Sequence, residues 1–205
     1  MTAAAPFADS SWAPDTEPLT DPSDVTAYGD LLASLRSVQN AIVDAEPDRA
    51  TMLELTDSLS TISEQLRASA GVGPAPFARQ LGLPDRGQTL VPPLTIDRVS
   101  ADRVEATVTF TEYFHLGGQV AHGGAVALVF DEVLGLLCSA GGRPWSRTAF
   151  LHVDYRNPTP GDVPLDLAVW LDSEDGRKRV MRGEIRHGDV VCAESHGLFV
   201  AVRAS

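Results

Sequence analysis

Basic charge is what this chain of 205 residues has least of. Sixteen Lys and Arg side chains face 28 Asp and Glu, the formal net charge is −12, and Lys178 is the only lysine. A nucleic-acid binder normally carries a basic patch and a basic excess, so that class of partner is excluded. Cysteine is scarce too. Cys138 and Cys192 lie in apolar runs and match no metal-ligand spacing, which excludes a disulfide framework and points to a reducing cytoplasm. No uninterrupted apolar run approaches the roughly 18 residues of a membrane span. The N-terminal MTAAAPFADSSWAPDTEP has neither the basic nor the apolar region of a secretion signal. What remains suffices for a folded core: 43% of the residues are hydrophobic. The length suits one domain of ordinary size with an appended segment.

The chain divides near residue 71. Residues 1–22, rich in Pro, Ala, Ser, Thr and Asp, show no periodicity and read as a disordered leader. Residues 23–71 read as a helical extension. From Asp24, residues Leu31, Leu32, Leu35, Val38 and Ile42 recur at helical spacing until Pro47 stops the pattern. A second helix follows, with Asp48 as N-cap, Leu55, Leu59, Ile62 and Leu66 as apolar stripe, and Gly71 at its C-terminal end. Such stripes are usually core, so the pair is expected to pack on the main domain or on a second subunit; a lid or partner-binding hairpin is the functional alternative. Residues 71–88, from GVGPAP to PDRGQ, read as a linker or surface loop. No internal repeat is visible.

From residue 88 onward the period changes to two. Leu94 and Ile96 open a strand, and Val104, Ala106, Val108 and Phe110 alternate with polar neighbours. Ser100-Ala101-Asp102 between them predicts a hairpin. The run AVALVFDEVLGLLCSA, apolar on nearly all sides at helical length, predicts a buried helix. Strands follow around Thr148–Arg156, Leu165–Leu171, Arg179–Arg186 and Val190–Val202. One antiparallel sheet wrapped around one central helix lets both layers bury their apolar faces, which is an α+β architecture.

The chemistry concentrates where that helix begins. In HGGAVALVFDEVLG, Gly123 and Gly124 let a ligand approach the backbone closely. A helix N-terminus offers unpaired N–H groups and the positive end of the macrodipole to a developing oxyanion. Asp131 and Glu132 follow on the otherwise apolar helix, where a carboxylate is costly unless paired, exposed in a cavity or used. Solvent exposure or pairing with an arginine is the ordinary outcome and the expected one for Glu132. Periodicity alone does not say which of the two faces a cleft.

His122-Gly123-Gly124 with Asp131 nine positions after the histidine, the run TAFLHVDYRNPTP, the turn GRK from Gly176 and the run AESHGLFV form a recognisable set. Together they resemble the PaaI-like acyl-CoA thioesterases of the hotdog superfamily, and look most like the thioesterase superfamily member 4 branch. The resemblance covers roughly residues 90–203. It implies a hotdog domain over residues 88–205 that hydrolyses acyl-CoA thioesters with no metal or other cofactor. On the matching positions, Asp131 acts as general base or nucleophile and the Gly123 N–H binds the thioester carbonyl oxygen. His122 orients the thioester or the loop, and Thr148 places a hydroxyl near the attacking water. Gly124, Asp154, Arg156, Arg177 and Lys178 match substrate-contacting positions. Members of the family pair back to back, as a homodimer or dimer of dimers, and each site takes the glycine loop from one subunit and the aspartate from the other. The family often has an Asn shortly before the histidine; here the passage reads Phe114-His115-Leu116-Gly117-Gly118-Gln119, with His115 and Gln119 as its polar side chains.

The chemistry of the residues agrees with this resemblance. Thioester hydrolysis needs an activated water, an oxyanion site and a slot for the acyl chain. A carboxylate desolvated on an apolar helix is a better base than a solvated one, the property expected of Asp131. Coenzyme A carries phosphates, which arginine forks match, and Arg156, Arg177, Lys178, Arg179 and Arg182 lie in the segments expected to meet it. An ordinary solvated strand charge accounts for each of them equally well. His152, His187 and His196 show no zinc-ligand spacing, and Ser139, Ser146 and Ser195 lack a G-x-S-x-G setting. Trp145, beside Pro144, is read as a packing residue or the lining of an acyl slot. Two other classes compete: a non-catalytic acyl-CoA-binding or regulatory hotdog module, and a protein whose helices dock a partner. Residues 1–70 hold 12 acidic and 3 basic groups, a net −9 that is unsuited to DNA phosphates. Residues 71–205 hold 13 basic and 16 acidic groups, a net −3, with GRKRVMR locally positive where an anionic coenzyme would dock.

Overall fold

A computed structural model of the chain describes residues 21–70 and 83–202. Two helices come first, α1 (Pro22–Ala41) and α2 (Arg49–Ala68). Strands β1 (Leu94–Val99) and β2 (Arg103–Thr109), a central helix α3 (Gly123–Ser139), and strands β3 (Ser146–Tyr155), β4 (Pro164–Asp175), β5 (Lys178–His187) and β6 (Val190–Ala201) follow. The strands make one antiparallel sheet in the order β1-β2-β4-β5-β6-β3, which leaves β1 and β3 at its edges. The expected hairpin turn at Ser100–Asp102 joins β1 to β2.

The expected leader, residues 1–22, lies outside the described residues except for its last two. Those already belong to α1: the Asp21 carboxylate accepts the Ser23 N–H at 2.8 Å, and Pro22 occupies the first helical position. The helix stops at Ala41, short of Pro47, where the Val43 N–H turns back to the Asn40 carbonyl and closes a tighter last turn. Asp48 caps α2 as expected, accepting the Thr51 N–H at 2.8 Å. Gly71 lies outside the described residues.

Residues 71–82 of the expected linker also lie outside them, but residues 83–88 are not a surface loop. Asp85 and Arg86 both adopt left-handed backbone angles, φ 51° and 57°, a conformation that costs a non-glycine residue about 1–2 kcal/mol. Side-chain ties offset the cost. The Asp85 carboxylate accepts Arg36 Nε of α1 at 2.5 Å and the Leu94 N–H at 3.2 Å. Arg86, almost completely buried, pairs with Glu132 of α3. The loop residues thus clamp the extension to the central helix.

The core lies between α3 and the concave face of the sheet. Val126, Val129, Phe130, Val133, Leu134 and Leu137 pack against Val104, Val108, Leu165, Leu167, Val169, Met181, Ile185 and Phe199. Helix and sheet come this close because β5 carries a glycine: a Cβ on Gly183 would lie 2.8 Å from Val169 and 3.1 Å from Phe130. The helix is not buried on nearly all sides, as its composition suggested. Gly124, Leu128, Asp131 and Gly135, spaced four, three and four apart, form a stripe that this chain leaves open.

The two N-terminal helices differ in how they sit. α1 is docked by Leu32 and Arg36, whose Nη2 donates to the Gln88 and Val91 carbonyls at 3.0 Å each, and by Asn40, which accepts the Thr111 hydroxyl at 2.9 Å. α2 buries none of its residues. Of the two expected packings, α1 takes the one on the main domain, whereas α2 makes no such contact and is left with the other, a second subunit.

Candidate active site

The helix α3 begins at Gly123 because His122 caps it. His122 is extended, and its Nδ1 accepts the Gly124 N–H at 2.9 Å, so Nδ1 is unprotonated and the neutral ring carries its proton on Nε2. A Cβ on Gly124 would stand 3.0 Å from that nitrogen, which is why the cap calls for a second glycine. The Ala125 and Val126 N–H groups bond to the His122 carbonyl at 2.9 and 3.2 Å. Of the first-turn donors, the Gly123 N–H is left without a partner among the described residues, as a helix start dictates. The Tyr155 hydroxyl donates to the Gly123 carbonyl at 2.8 Å, and its ring lies 3.3 Å from where a Gly123 Cβ would be.

Beside this helix start opens a cleft of about 410 Å³, lined by Tyr113, Phe114, His115, His122, Gly124, Ala125 and Leu128. Its side chains are apolar apart from two imidazoles and the Tyr113 hydroxyl. His115 is committed to holding the loop: its Nε2 donates to the Phe110 carbonyl at 2.9 Å and lies 3.6 Å from Asp162. The Gln119 carbonyl accepts the Gly161 N–H at 2.9 Å.

Further along the same helix, Asp131 Oδ1 accepts the Thr148 hydroxyl at 2.9 Å. Asp131 is exposed, so its own chain does not supply the expected desolvation. Glu132, paired with Arg86, takes the ordinary route for a helix carboxylate. Thr148 and Tyr155, seven positions apart, would point to opposite faces of a regular strand. A bulge leaves Ala149 unpaired between the Thr148–Phe199 and Phe150–Leu198 pairs and reverses the parity. Both side chains therefore face α3, Thr148 opposite buried Phe199 and Tyr155 opposite buried Ala193.

The other expected substrate contacts are not brought to this helix. Asp154 pairs across β3 and β6 with Glu194 on the outer face of the sheet, where Arg156 Nε donates to Glu194 at 2.6 Å and Nη2 to Asp154 at 3.3 Å. His152 and His196 lie on that face with ring centroids 5.0 Å apart, and Arg182 pairs there with Asp172 at 3.1 Å. Arg177 and Lys178 are exposed at the β4–β5 turn, where Arg177 Nη1 donates to the Ala201 carbonyl at 2.9 Å. Arg179 corrects the expectation of a coenzyme contact. It is 2% exposed and donates to Glu174 at 2.7 Å, Ser146 at 2.5 Å, the Pro144 carbonyl at 3.2 Å and Cys138 Sγ of α3 at 3.8 Å, tying the end of α3 to the sheet. Trp145 stacks under the Arg147 guanidinium, 5.3 Å from its ring centroid, and takes no part in the cleft. Cys138 and Cys192 are free and buried. Among the described residues, no group of three His, Cys, Asp or Glu side chains is arranged to hold a metal ion. Two residues escaped the sequence reading, Tyr155 and Arg86. Tyr155 stands in the very run that carries the resemblance, but strict alternation from Thr148 puts it on the wrong face.

Sheet order, central helix and histidine-capped, glycine-rich helix start define the class: the chain has the hotdog fold, preceded by a helical extension. Its neighbours among solved structures are thioesterase-superfamily proteins. One, described as a thioesterase superfamily protein, superposes with a TM-score of 0.74 at 29% identity over 90% of this chain and 98% of its own. That match extends well beyond the hotdog part and takes in the helical extension. An aspartate-to-alanine variant of a hypothetical thioesterase from Streptococcus pneumoniae TIGR4 superposes at 0.51 with 15% identity, over 54% of this chain and 92% of its own. Zebra fish thioesterase superfamily member 2 superposes at 0.50 with 10% identity, over 53% and 81%. These last two share the fold alone. No family model matches the chain, and no curated protein matches it.

Proposed function

We propose that the chain hydrolyses acyl-CoA thioesters to the free acid and CoA, in sites that each take residues from two copies. The observation that carries this reading is the Asp131–Thr148 pair, an exposed carboxylate held by a hydroxyl on the open stripe of α3. The Thr148 hydroxyl donates a hydrogen bond to Asp131 and keeps its oxygen free to accept one from a water, so the pair can orient that water and Asp131 can take its proton. Attack on the thioester carbonyl puts negative charge on the carbonyl oxygen, which the Gly123 N–H stabilises; the C–S bond then breaks and CoA leaves as thiolate. Asp131 serves as general base or, in direct attack, as nucleophile.

One chain does not hold both halves of this chemistry. Gly123 and Asp131 are eight residues apart on α3, about 12 Å along the axis at roughly 1.5 Å per residue. A single carbonyl within hydrogen-bond distance of one is out of reach of a water on the other. A second copy, placed against the open stripe of α3 and the edge strand β3, supplies the missing half and the missing desolvation. The exposure of Phe150 and Tyr155 on that strand, 46% and 56%, supports this surface. TAFLHVDYRNPTP and GRK support a place near the member 4 branch, and the two buried free thiols support a cytoplasmic setting.

The test is a hydrolysis screen over acyl-CoAs from acetyl to palmitoyl and over aryl thioesters, following released thiol for wild type and Asp131→Asn. Turnover by wild type, with a loss of about 100- to 10,000-fold in the variant and an unchanged melting temperature, is the expected result. Near-wild-type hydrolysis by Asp131→Asn at saturating substrate overturns the mechanism. Tight binding of an acyl-CoA with no turnover by wild type identifies a non-catalytic binding module instead.

A further inference from the structure

The helical extension carries two apolar seams that nothing among the described residues covers. On α1 and its C-cap, Leu31, Leu35, Val38 and Ile42 are between 44% and 65% exposed; on α2, Leu55, Leu59, Ile62 and Leu66 are between 46% and 54% exposed. The spacing is four, three, four in both, and each α2 residue follows its α1 counterpart by 24 positions. That is the a/d repeat of a coiled coil, in which side chains of one helix enter holes on a facing one. Met52, 49% exposed, extends the α2 seam by one more a position; the matching Tyr28 of α1 is half-buried and donates its hydroxyl to the Gly87 carbonyl at 3.1 Å, so it belongs to the docked side.

We propose that α2 of one chain packs its seam against the α1 seam of a second copy, and the partner's α2 returns the contact. Three observations favour a second copy of this chain. First, α1 and α2 have equal length and matching seams, so a two-fold pair satisfies all four helices and leaves no seam over. Second, the acidity of the extension does not oppose it. With Leu59 at an a position, the flanking e and g positions are Thr56, Ser58, Ser63 and Gln65, all uncharged, while Glu54, Asp57 and Glu64 fall at the remote c and f positions. Third, α1 is held to its own domain through Leu32, Arg36 and Asn40, which turns its seam outward and leaves it uncovered by its own α2. A helix of 20 residues that buries none of them is marginal by itself, so α2 needs this cover to be stable. The inference stands on the extension alone and is independent of the proposed catalysis.

Cross-linking of the full chain tests it. Leu35 and Leu59 sit within one turn of the midpoints of their seams, within reach of a short linker whether the helices run parallel or antiparallel, and the native thiols of Cys138 and Cys192 are too buried to compete. Leu35→Cys and Leu59→Cys chains, co-expressed with different tags and treated with a short bis-maleimide, should yield several-fold more covalent dimer than either variant alone. Ile62→Asp and Leu66→Asp, added to the Leu59→Cys chain, should abolish the cross-link and lower helical ellipticity while hydrolysis per site is unchanged. Equal dimer yield in the single variants and the mixture overturns the proposal. So does a Leu35→Cys/Leu59→Cys chain that cross-links only within the monomer, which would mean that the hairpin closes on itself.

Discussion

Replacing Gly123 by proline removes one N–H and little else that α3 needs. His122 has φ −64° and ψ 130°, the extended geometry that a following proline requires, and the first helical position is the one where proline is most at home. The ring adds a carbon where the Tyr155 ring lies 3.3 Å away. Gly123→Ala adds the same Cβ, meets the same tyrosine and keeps the N–H, so the ratio of the two variants reports the replacement of that N–H by the proline ring. Loss of one oxyanion donor typically costs about 100- to 1,000-fold in rate, or about 2.7–4 kcal/mol of transition-state stabilisation. We expect kcat/KM for acyl-CoA hydrolysis, followed by released thiol, to fall by that factor from Gly123→Ala to Gly123→Pro, with matching melting temperatures. If the proline variant hydrolyses as fast as the alanine variant, the Gly123 N–H is not the donor. The same variant tests the shared site. In random reassortment of Gly123→Pro with Asp131→Asn, half the dimers are mixed, and each mixed dimer has one intact site, so about a quarter of wild-type activity should return. No recovery would place both groups in one chain's site, against the helical distance.

Three further outcomes follow from the same geometry. Thr148→Val removes the hydroxyl that holds Asp131; the bond is exposed, so a loss of about 1.5 kcal/mol, near tenfold in kcat, is expected without a change in unfolding midpoint. A fully active variant would show that the hydroxyl orients nothing. Arg36→Met breaks the Arg36–Asp85 pair and leaves the Gln88 and Val91 carbonyls without their donor; the expected cost is about 3 kcal/mol in urea unfolding, and an unchanged midpoint would mean that α1 is docked without the Arg36 contacts. The Arg179 guanidinium holds the Glu174 carboxyl below its ordinary 4.5. A depressed carboxyl contributes stability above its unfolded value and loses it as pH falls through the lower folded one. Glu174→Gln should therefore flatten the decline of unfolding free energy below pH 4.5; an identical acid limb in both proteins would refute the coupling.

The strands and the central helix were legible because one-sided burial writes a period of two into β2 and β4, and a sheet wrapped around α3 leaves few polar residues on it. Reading failed where partners lie far apart in the chain. PDRG consists of turn formers and reads as a loop, yet Asp85 and Arg86 are held by Arg36 and Glu132, 49 and 46 positions away. Arg177 and Arg179 are the same residue type two positions apart, one on the β4–β5 turn and the other at the start of β5. Only the packing of β5 behind the end of α3 makes one exposed and the other buried. The same holds for the apolar stripes of α1 and α2, whose periodicity is identical in kind but whose burial is not.

The helix start is a local affair, and the residues themselves specify it. A histidine reaches the N–H two positions on, the glycine there leaves room for the ring, and the next turn of backbone follows. The nine-residue spacing from His122 to Asp131 is local as well, set by the helical rise. Which strand residues face these groups is not local. A single unpaired alanine in β3, fixed by register against β6, decides that Thr148 and Tyr155 share the inner face while Asp154 and Arg156 stay outside. A strand's alternation can be counted along one chain, but its parity depends on the neighbour it bonds to, and only the folded sheet settles that.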